Sequence, residues 1–310
     1  MRLPCHAALL AFVFVLGTAS AQAQSPPAAS ASDAAKRGFL WEARKADRRI
    51  VLLGTIHVGR PELTALSADV RARLNEAAVI AVEADVSNAQ RSIAMLQRHA
   101  LYAEGEPTLD QRLDPKLRAR LEALLARYAM NPAAVWRMKP WFLSINLVLS
   151  DFSRAGFSAA QGTEAQLFAF AAREGKQIVE LEGMEAQFRL LDGAAPAMQM
   201  AYLEQTIRSI ETGATQAEIQ RIADAWGSRD FAAMEQMLAS LRAAATGGAA
   251  ERFVVERLID GRHPKMLDEI ERFAAGGQAL LVAVGSLHYF GPNGLVAGLR
   301  SRGWTVTEVR

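Results

Sequence analysis

The sequence predicts an α/β fold with a mostly parallel central sheet and a large helical insertion. Three observations predict it. Short, continuous apolar runs recur along the chain, the pattern of parallel strands covered on both faces. Segments of helical periodicity separate these runs. From Ala195 to about Gly276 the chain reads as almost entirely helical.

Taken in order, residues 39–43 form a flanking strand candidate and residues 50–53 the first core strand. Leu63, Leu66, Val70, Leu74 and Ala77 then fall on one helical face, and residues 79–82 supply the second core strand. This is a β-α-β unit, whose crossover is expected to be right-handed. Asp114-Pro115 and Asn131-Pro132 each place a capping side chain before a proline, the signature of a helix start. The first of these helices continues through Leu117, Leu121, Leu124, Leu125 and Tyr128. Thr163-Glu164 opens a helix that Gly175 ends, and residues 177–181 follow as a strand. The long helical stretch is expected to break near Gly213, Gly227 and Gly247-Gly248. The methionines of the Met-rich helices (Met184, Met198, Met200, Met234, Met237) read as core filling. Residues 279–284 make the last core strand, and residues 304–309 flank the domain. No linker divides this region, so residues 38–310 are read as one domain with its helical part at about 195–276.

The N-terminus reads as an address. Arg2 precedes an apolar run from Ala7 to Leu16, too short to span a bilayer, and small residues of the A-x-A cleavage type follow at Ala19-Ser20-Ala21 and Ala21-Gln22-Ala23. Residues 1–23 are therefore expected to be a signal peptide and residues 24–37, rich in Ala, Ser and Pro, a flexible leader. The mature protein is expected in the periplasm or outside the cell, with no stable membrane insertion. Cleavage would remove Cys5, the single cysteine, and His6, leaving four of the five histidines. Thiol and disulfide chemistry are thereby excluded.

Composition narrows the class further. A 51% hydrophobic chain with 35 Lys+Arg against 33 Asp+Glu is neither disordered nor built to bind nucleic acid. There is no G-x-S-x-G elbow, P-loop, G-x-G-x-x-G or H-E-x-x-H. Nothing in the sequence sets an oligomeric state.

Chemistry is carried by an internal echo. Leu53-Gly54-Thr55-Ile56-His57 and Val284-Gly285-Ser286-Leu287-His288 each end an apolar strand with Gly, a small hydroxyl residue, a branched aliphatic and His. A Gly and a Pro follow within four residues in both, and glycine three residues before each His is expected to let the backbone turn sharply. Glu83 ends the second core strand. Ligands of open α/β sheets bind beyond the carboxyl ends of the strands, so His57, Glu83 and His288 would meet in one cleft if their strands are neighbours. Two imidazoles and a carboxylate are a common ligand set for a divalent ion such as Zn, Mn or Co. Glu83 has a plainer alternative, an ion pair with Arg71, Arg73 or another base. His99, beside Arg98 on a helix, reads as solvated, and His263, in Gly261-Arg262-His263-Pro264, as a cap or surface residue.

These motifs, with the C-terminal segment from Val284 to Val306, resemble the TraB/GumN family, which includes the animal TIKI metalloproteases; the resemblance spans roughly residues 38–310. Leu181-Glu182 and Gln187 resemble the family's L-E-x-x-x-x-Q segment, and Arg262 its arginine before a helix. The chain departs from the pattern at His263, where the family usually has Asn. The resemblance implies two pseudo-equivalent α/β halves around a hydrolytic centre. His57, Glu83 and His288 would hold the metal, Glu83 or the ion would activate water, and Arg262 would stabilise an oxyanion. Glu182 is a secondary candidate. The leading expectation is a metal-dependent hydrolase, a peptidase in the TIKI manner, acting on a peptide or small molecule. A metal-free, histidine-base hydrolase of the erythromycin-esterase kind, or a non-catalytic envelope protein binding haem, metal or glycan, are the alternatives.

Overall fold

A computed structural model describes residues 37–309. The expected signal peptide, and all of the expected leader except Arg37, lie outside the described residues.

All six expected strands are present: β1 (Phe39–Lys45), β2 (Arg48–Thr55), β3 (Val79–Val82), β4 (Gln177–Glu180), β5 (Leu280–Gly285) and β6 (Thr305–Glu308). They form a single sheet in the order β4-β3-β5-β2-β1-β6. The four strands β4, β3, β5 and β2 run parallel, while β1 lies antiparallel to both β2 and β6. β5 is buried at every residue, which is why its sequence is continuously apolar rather than alternating. β2 and β3 are not neighbours. β5 lies between them, so the strand carrying the second histidine motif is the middle one of the three.

Between β2 and β3 the chain forms α1 (Pro61–Thr64) and α2 (Ala68–Glu76). The single apolar face expected here is divided: α1 ends in the extended residue Ala65, and Ser67 caps the next helix, its side chain accepting from the Val70 N–H at 3.3 Å. Between β3 and β4 lie α3 (Ala89–His99), α4 (Pro115–Arg127), α5 (Pro132–Val135), α6 (Pro140–Arg154) and α7 (Thr163–Glu174). Asp114 and Asn131 cap α4 and α5 as their sequence positions require, and Gly175 closes α7 in the left-handed conformation. Between β4 and β5 come α8 (Met184–Asp192), α9 (Pro196–Glu211), α10 (Ala214–Ser228), α11 (Phe231–Ala245) and α12 (Ala249–Phe253). A π-helical turn (Val254–Ile259), a 3₁₀ turn (Asp260–Arg262) and α13 (His263–Ala274) complete this insertion. The break expected near Gly227 falls just after it: α10 ends at Ser228, Arg229 adopts the left-handed conformation, and α11 starts at Phe231. A 3₁₀ turn (Ser286–Tyr289) and α14 (Leu295–Ser301) join β5 to β6.

The core has three parts. Leu40, Val51, Leu53, Ile80, Val82 and Leu281 on one sheet face pack against Val70 and Leu74 of α2 and Leu167 and Phe170 of α7. The opposite face carries the larger cluster, including Met184, Trp226, Met234 and Met266 from the helical insertion. A third cluster joins α4, α6 and α9 away from the sheet. Among the described residues, no helix is long and apolar enough to cross a membrane.

Candidate active site

His57 follows β2, Glu83 follows β3, and His288 lies in the turn after β5, so all three stand at the carboxyl edge of adjacent parallel strands. The two histidine motifs are offset by one residue in register, with Gly54 opposite Val284 and Thr55 opposite Gly285. Neither motif glycine adopts a positive φ, so the expected sharp turn is not the reason for them. The reason is space. A Cβ on Gly54 would lie 2.9 Å from the Ser286 hydroxyl. One on Gly285 would lie 2.9 Å from His57 Nε2, 3.2 Å from Glu83 Oε1 and 3.7 Å from His288 Cδ2. Gly285 thus keeps open a gap on which the three expected residues converge.

His57 is fixed from behind. Its Nδ1 lies 2.8 Å from Glu164 Oε1, which also accepts from the Thr55 hydroxyl. Glu164 sits in the first turn of α7, where the helix N-terminus favours a carboxylate. Backbone contacts lock that helix start to the His57 loop. Thr163 N–H donates to the Ile56 carbonyl at 2.8 Å, and Ile56 N–H donates to the Thr163 hydroxyl at 3.1 Å. A Cβ on Gly162 would sit 2.3 Å from the His57 carbonyl oxygen, so glycine alone permits the approach. A carboxylate acceptor on Nδ1 leaves the lone pair of neutral His57 on Nε2. That Nε2 is buried with no hydrogen-bond partner among the described residues, as is Glu164 Oε2. Burial pushes the imidazole pKa down, but the Glu164 charge and hydrogen bond, with Glu83 beyond, outweigh it and raise it above the ordinary value. For Glu164, burial alone would raise the pKa; its interactions with His57 and Thr55 prevail and lower it.

Glu83 faces His57 across the gap, Oε1 to Nε2, at 3.9 Å. Its Oε1 accepts from the Gly285 N–H at 2.8 Å, and its Oε2 accepts from Arg262 Nη2 and from Gln187 Nε2 at 3.2 Å. The expected ion pair forms with another base, Arg262, and not with Arg71 or Arg73. Arg71 donates to the Leu66 carbonyl, and Arg73 meets Glu42 and Glu76.

Arg262 is buried and its five N–H groups are all engaged. Nε and Nη2 reach Glu182, Nη2 also reaches Glu83, and Nη1 lies 3.0 Å from His288 Nε2 and 3.3 Å from the Leu258 carbonyl oxygen. Burial opposes its charge, but Glu83 and Glu182 hold the guanidinium even more firmly protonated than usual. An oxyanion role would require Arg262 to surrender one of these bonds; as placed, it orients Glu83.

His288 joins the centre differently from its sequence twin. Its side chain is fully buried, its Nε2 faces Arg262, and its Nδ1 lies 3.0 Å from His263 Nε2. Burial and the adjacent guanidinium push its pKa well below the usual imidazole value. His263 is no surface residue: it is 2% exposed, and burial pushes its pKa down to about 4. His99 is likewise buried rather than solvated, beside Phe188, with Nδ1 3.4 Å from Asp192.

Two of the three expected metal donors suit an ion. His57 Nε2 is an orphaned buried nitrogen, Glu83 Oε1 faces it, and Gly285 keeps the space between them clear. The third, His288 Nε2, is turned to Arg262. Among the described residues, no three His, Cys, Asp or Glu side chains are grouped to hold an ion together. A groove of about 920 Å³ between α9, α10, α11 and α12 shares no residue with this centre.

Nothing local in the sequence marks Glu164 beyond its place at a helix start, and Thr163 lies 107 positions after its Ile56 partner. Gln187 and Glu182 were visible through the L-E-x-x-x-x-Q resemblance.

The fold and centre define an α/β protein with a buried His–Glu–Arg cluster at the carboxyl edge of its sheet. Residues 39–308 match the TraB/PrgY/gumN family, and the chain belongs to it. It is similar to an uncharacterized protein, YbaP, of Escherichia coli (strain K12), 24% identical over 254 residues, covering 82% of this chain and 89% of that protein. An uncharacterized protein of Treponema pallidum (strain Nichols) is 22% identical over 277 residues, covering 86% of this chain and 81% of that one. No solved structure matches the chain.

Proposed function

We propose that the protein is a secreted, divalent-metal-dependent hydrolase acting on peptides, with its reaction centred on His57 and Glu83. The observation that carries this reading is the buried, unpartnered His57 Nε2 facing Glu83 Oε1 across the space at Gly285. Charge supports it. Glu83, Glu164 and Glu182 bring three carboxylates to the centre, against the guanidinium of Arg262 and the imidazole of His57. Lys265 reaches only the backbone carbonyl of Glu182, from solvent. When His57 is neutral, as a ligand must be, a divalent cation restores the balance.

One imidazole nitrogen and one carboxylate oxygen suit Zn, Mn or Co. When bound, such an ion supplies Lewis-acid activation of a carbonyl and of water near neutral pH. The chain's residues do the rest. Glu164 holds the His57 ring with its Nε2 lone pair toward the gap. Arg262, Gln187 and the Gly285 N–H hold Glu83 with Oε1 facing the same space, where it would serve as the carboxylate donor to the ion. The peptide substrate and the export follow from the resemblance to the TIKI branch and from the N-terminal signal pattern.

The test is metal analysis after dialysis, paired with turnover on a peptide and ester panel. The wild type should retain a stoichiometric divalent ion, and His57→Ala and Glu83→Gln should each lose both ion and turnover. Unchanged metal content in both variants would sink the metal reading. Turnover surviving exhaustive chelation would replace the ion with the His57–Glu164 pair as general base, and a retained ion without turnover would mark a binding protein.

A further inference from the structure

His263 stands where the family resemblance leads one to expect asparagine, and it lies deep in the cluster. Its Nδ1 is 2.6 Å from the Asn293 carbonyl oxygen and its Nε2 is 3.0 Å from His288 Nδ1. His288 Nε2 in turn is 3.0 Å from Arg262 Nη1. The two ends of this chain fix the protons inside it. A carbonyl oxygen can only accept, so His263 carries its proton on Nδ1 and keeps a lone pair on Nε2. A guanidinium can only donate, so His288 accepts on Nε2 and carries its proton on Nδ1. The middle bond then runs from His288 Nδ1–H to His263 Nε2. Each ring bears one proton, and each ring nitrogen is satisfied.

We propose that His263 is a positioning residue that sets the tautomer of His288, and through it holds Arg262 on Glu83 and Glu182. Without an acceptor at the His263 Nε2 position, the buried Nδ1–H of His288 has no partner. The low-cost rearrangement is the other tautomer, with the proton on Nε2. That proton points at the Arg262 Nη1–H and drives the guanidinium away. Glu83 Oε2 then loses its clamp, and Oε1 is no longer held toward His57. His288 therefore does a different job from His57: its lone pair is spent on arginine, and its reach into the reaction runs through Glu83. The consequence for ion binding rests on the proposed role of His57 and Glu83; the tautomer does not.

The experiment is long-range ¹H–¹⁵N NMR on the full chain labelled with ¹⁵N-histidine, with His263→Gln and His263→Leu as variants and Mn²⁺ titration as the second readout. Glutamine places an oxygen acceptor near the position of the ring Nε2, and leucine fills the volume with none. In the wild type, His288 should show a protonated Nδ1 and an unprotonated Nε2. His263→Gln should keep that pattern and bind Mn²⁺ within a few-fold of the wild type. His263→Leu should lose it and bind Mn²⁺ about 10–100-fold more weakly, the usual cost of removing an outer partner of a metal site. An Nε2-protonated His288 in the wild type overturns the proposal, as does the wild-type pattern persisting in His263→Leu. If His263→Leu does not fold, the wild-type spectrum and the His263→Gln comparison still decide. A wild type with the expected tautomer but no Mn²⁺ binding would defeat the metal reading and leave the positioning role standing.

Discussion

The identity of a residue at this centre matters less than which of its atoms remain uncommitted. His57 and His288 come from matching motifs, yet only His57 retains a buried nitrogen without a partner. Arg262 takes the Nε2 of His288, whereas on His57 only the proton side of the ring is taken, by Glu164. Replacing it with Gln keeps the shape, but the weaker, neutral acceptor leaves the ring poorly anchored. We expect Glu164→Gln to reduce ion affinity and turnover by about 10–100-fold with little change in melting temperature. A variant with wild-type affinity and turnover would show that the contact is only structural. Gly285 gives the complementary prediction. In Gly285→Ala the new methyl occupies the gap, 2.9 Å from His57 Nε2. Ion retention and turnover should be lost while circular dichroism remains native, and full activity would mean that the reaction does not use this space. In the sequence, the residues facing the gap could be found because strand ends are where ligands bind and because the G-x-x-H motif is repeated. Glu164 could not, since nothing local distinguishes a helix-opening glutamate that caps a helix from one that reaches a histidine over a hundred residues earlier.

At the scale of elements, the site depends on two backbone devices that propensity does not report. The first is the seating of the start of α7 on the His57 loop, where Gly162 and the His57 carbonyl lie too close for any side chain. The second is the π-helical turn before Arg262: a Cβ on Gly261, in the 3₁₀ turn that follows, would lie 2.7 Å from the carbonyl oxygen of Glu256 in the π turn. Such turns are rare and concentrate at functional sites. Here the turn delivers Arg262 with its Nη1 within reach of both the Leu258 carbonyl and His288. Gly261→Ala must shift that turn, and we expect a loss of about 1–3 kcal/mol in urea unfolding, the usual cost of forcing extra volume into a packed site. Turnover should fall further than stability explains, because Arg262 moves with the turn; equal stability and turnover to wild type would show that the turn tolerates a side chain. The strands and the starts of α4 and α5 were legible in the sequence because continuous apolar runs and Asx-Pro caps are local signals. The π turn was not, since its sequence satisfies ordinary helical periodicity. The buried states of His99 and His263 were also hidden, because tertiary partners such as Asp192 and Asn293 determine them.

Across the whole molecule, α13 connects the reaction centre to the far side of the sheet. Its first turn holds His263 in the cluster, and its last full turn presents Glu271 to the opposite edge. There Glu271 accepts from Lys45 at the end of β1 at 3.1 Å, from Trp304 just before β6 at 3.1 Å, and from Arg302 at 3.0 Å. Burial alone would raise the Glu271 pKa, but these three donors outweigh it and hold it down at about 2. The folded-state pKa is thus below the unfolded value of about 4.3, so the folded state binds fewer protons between the two. The stabilisation is fully present above the unfolded pKa and is lost as pH falls through the folded one. Its size is on the order of 2 kcal/mol, after allowance for a side chain that is about one-quarter exposed. Glu271→Gln should therefore be less stable than wild type by about that amount at pH 7, and the two should converge as pH falls from about 5 toward 2. Urea unfolding of both proteins at pH 7 and near pH 2.5 measures this directly. A stability difference that stays constant across that range would mean that the carboxylate charge does not fasten α13 to the first and last strands.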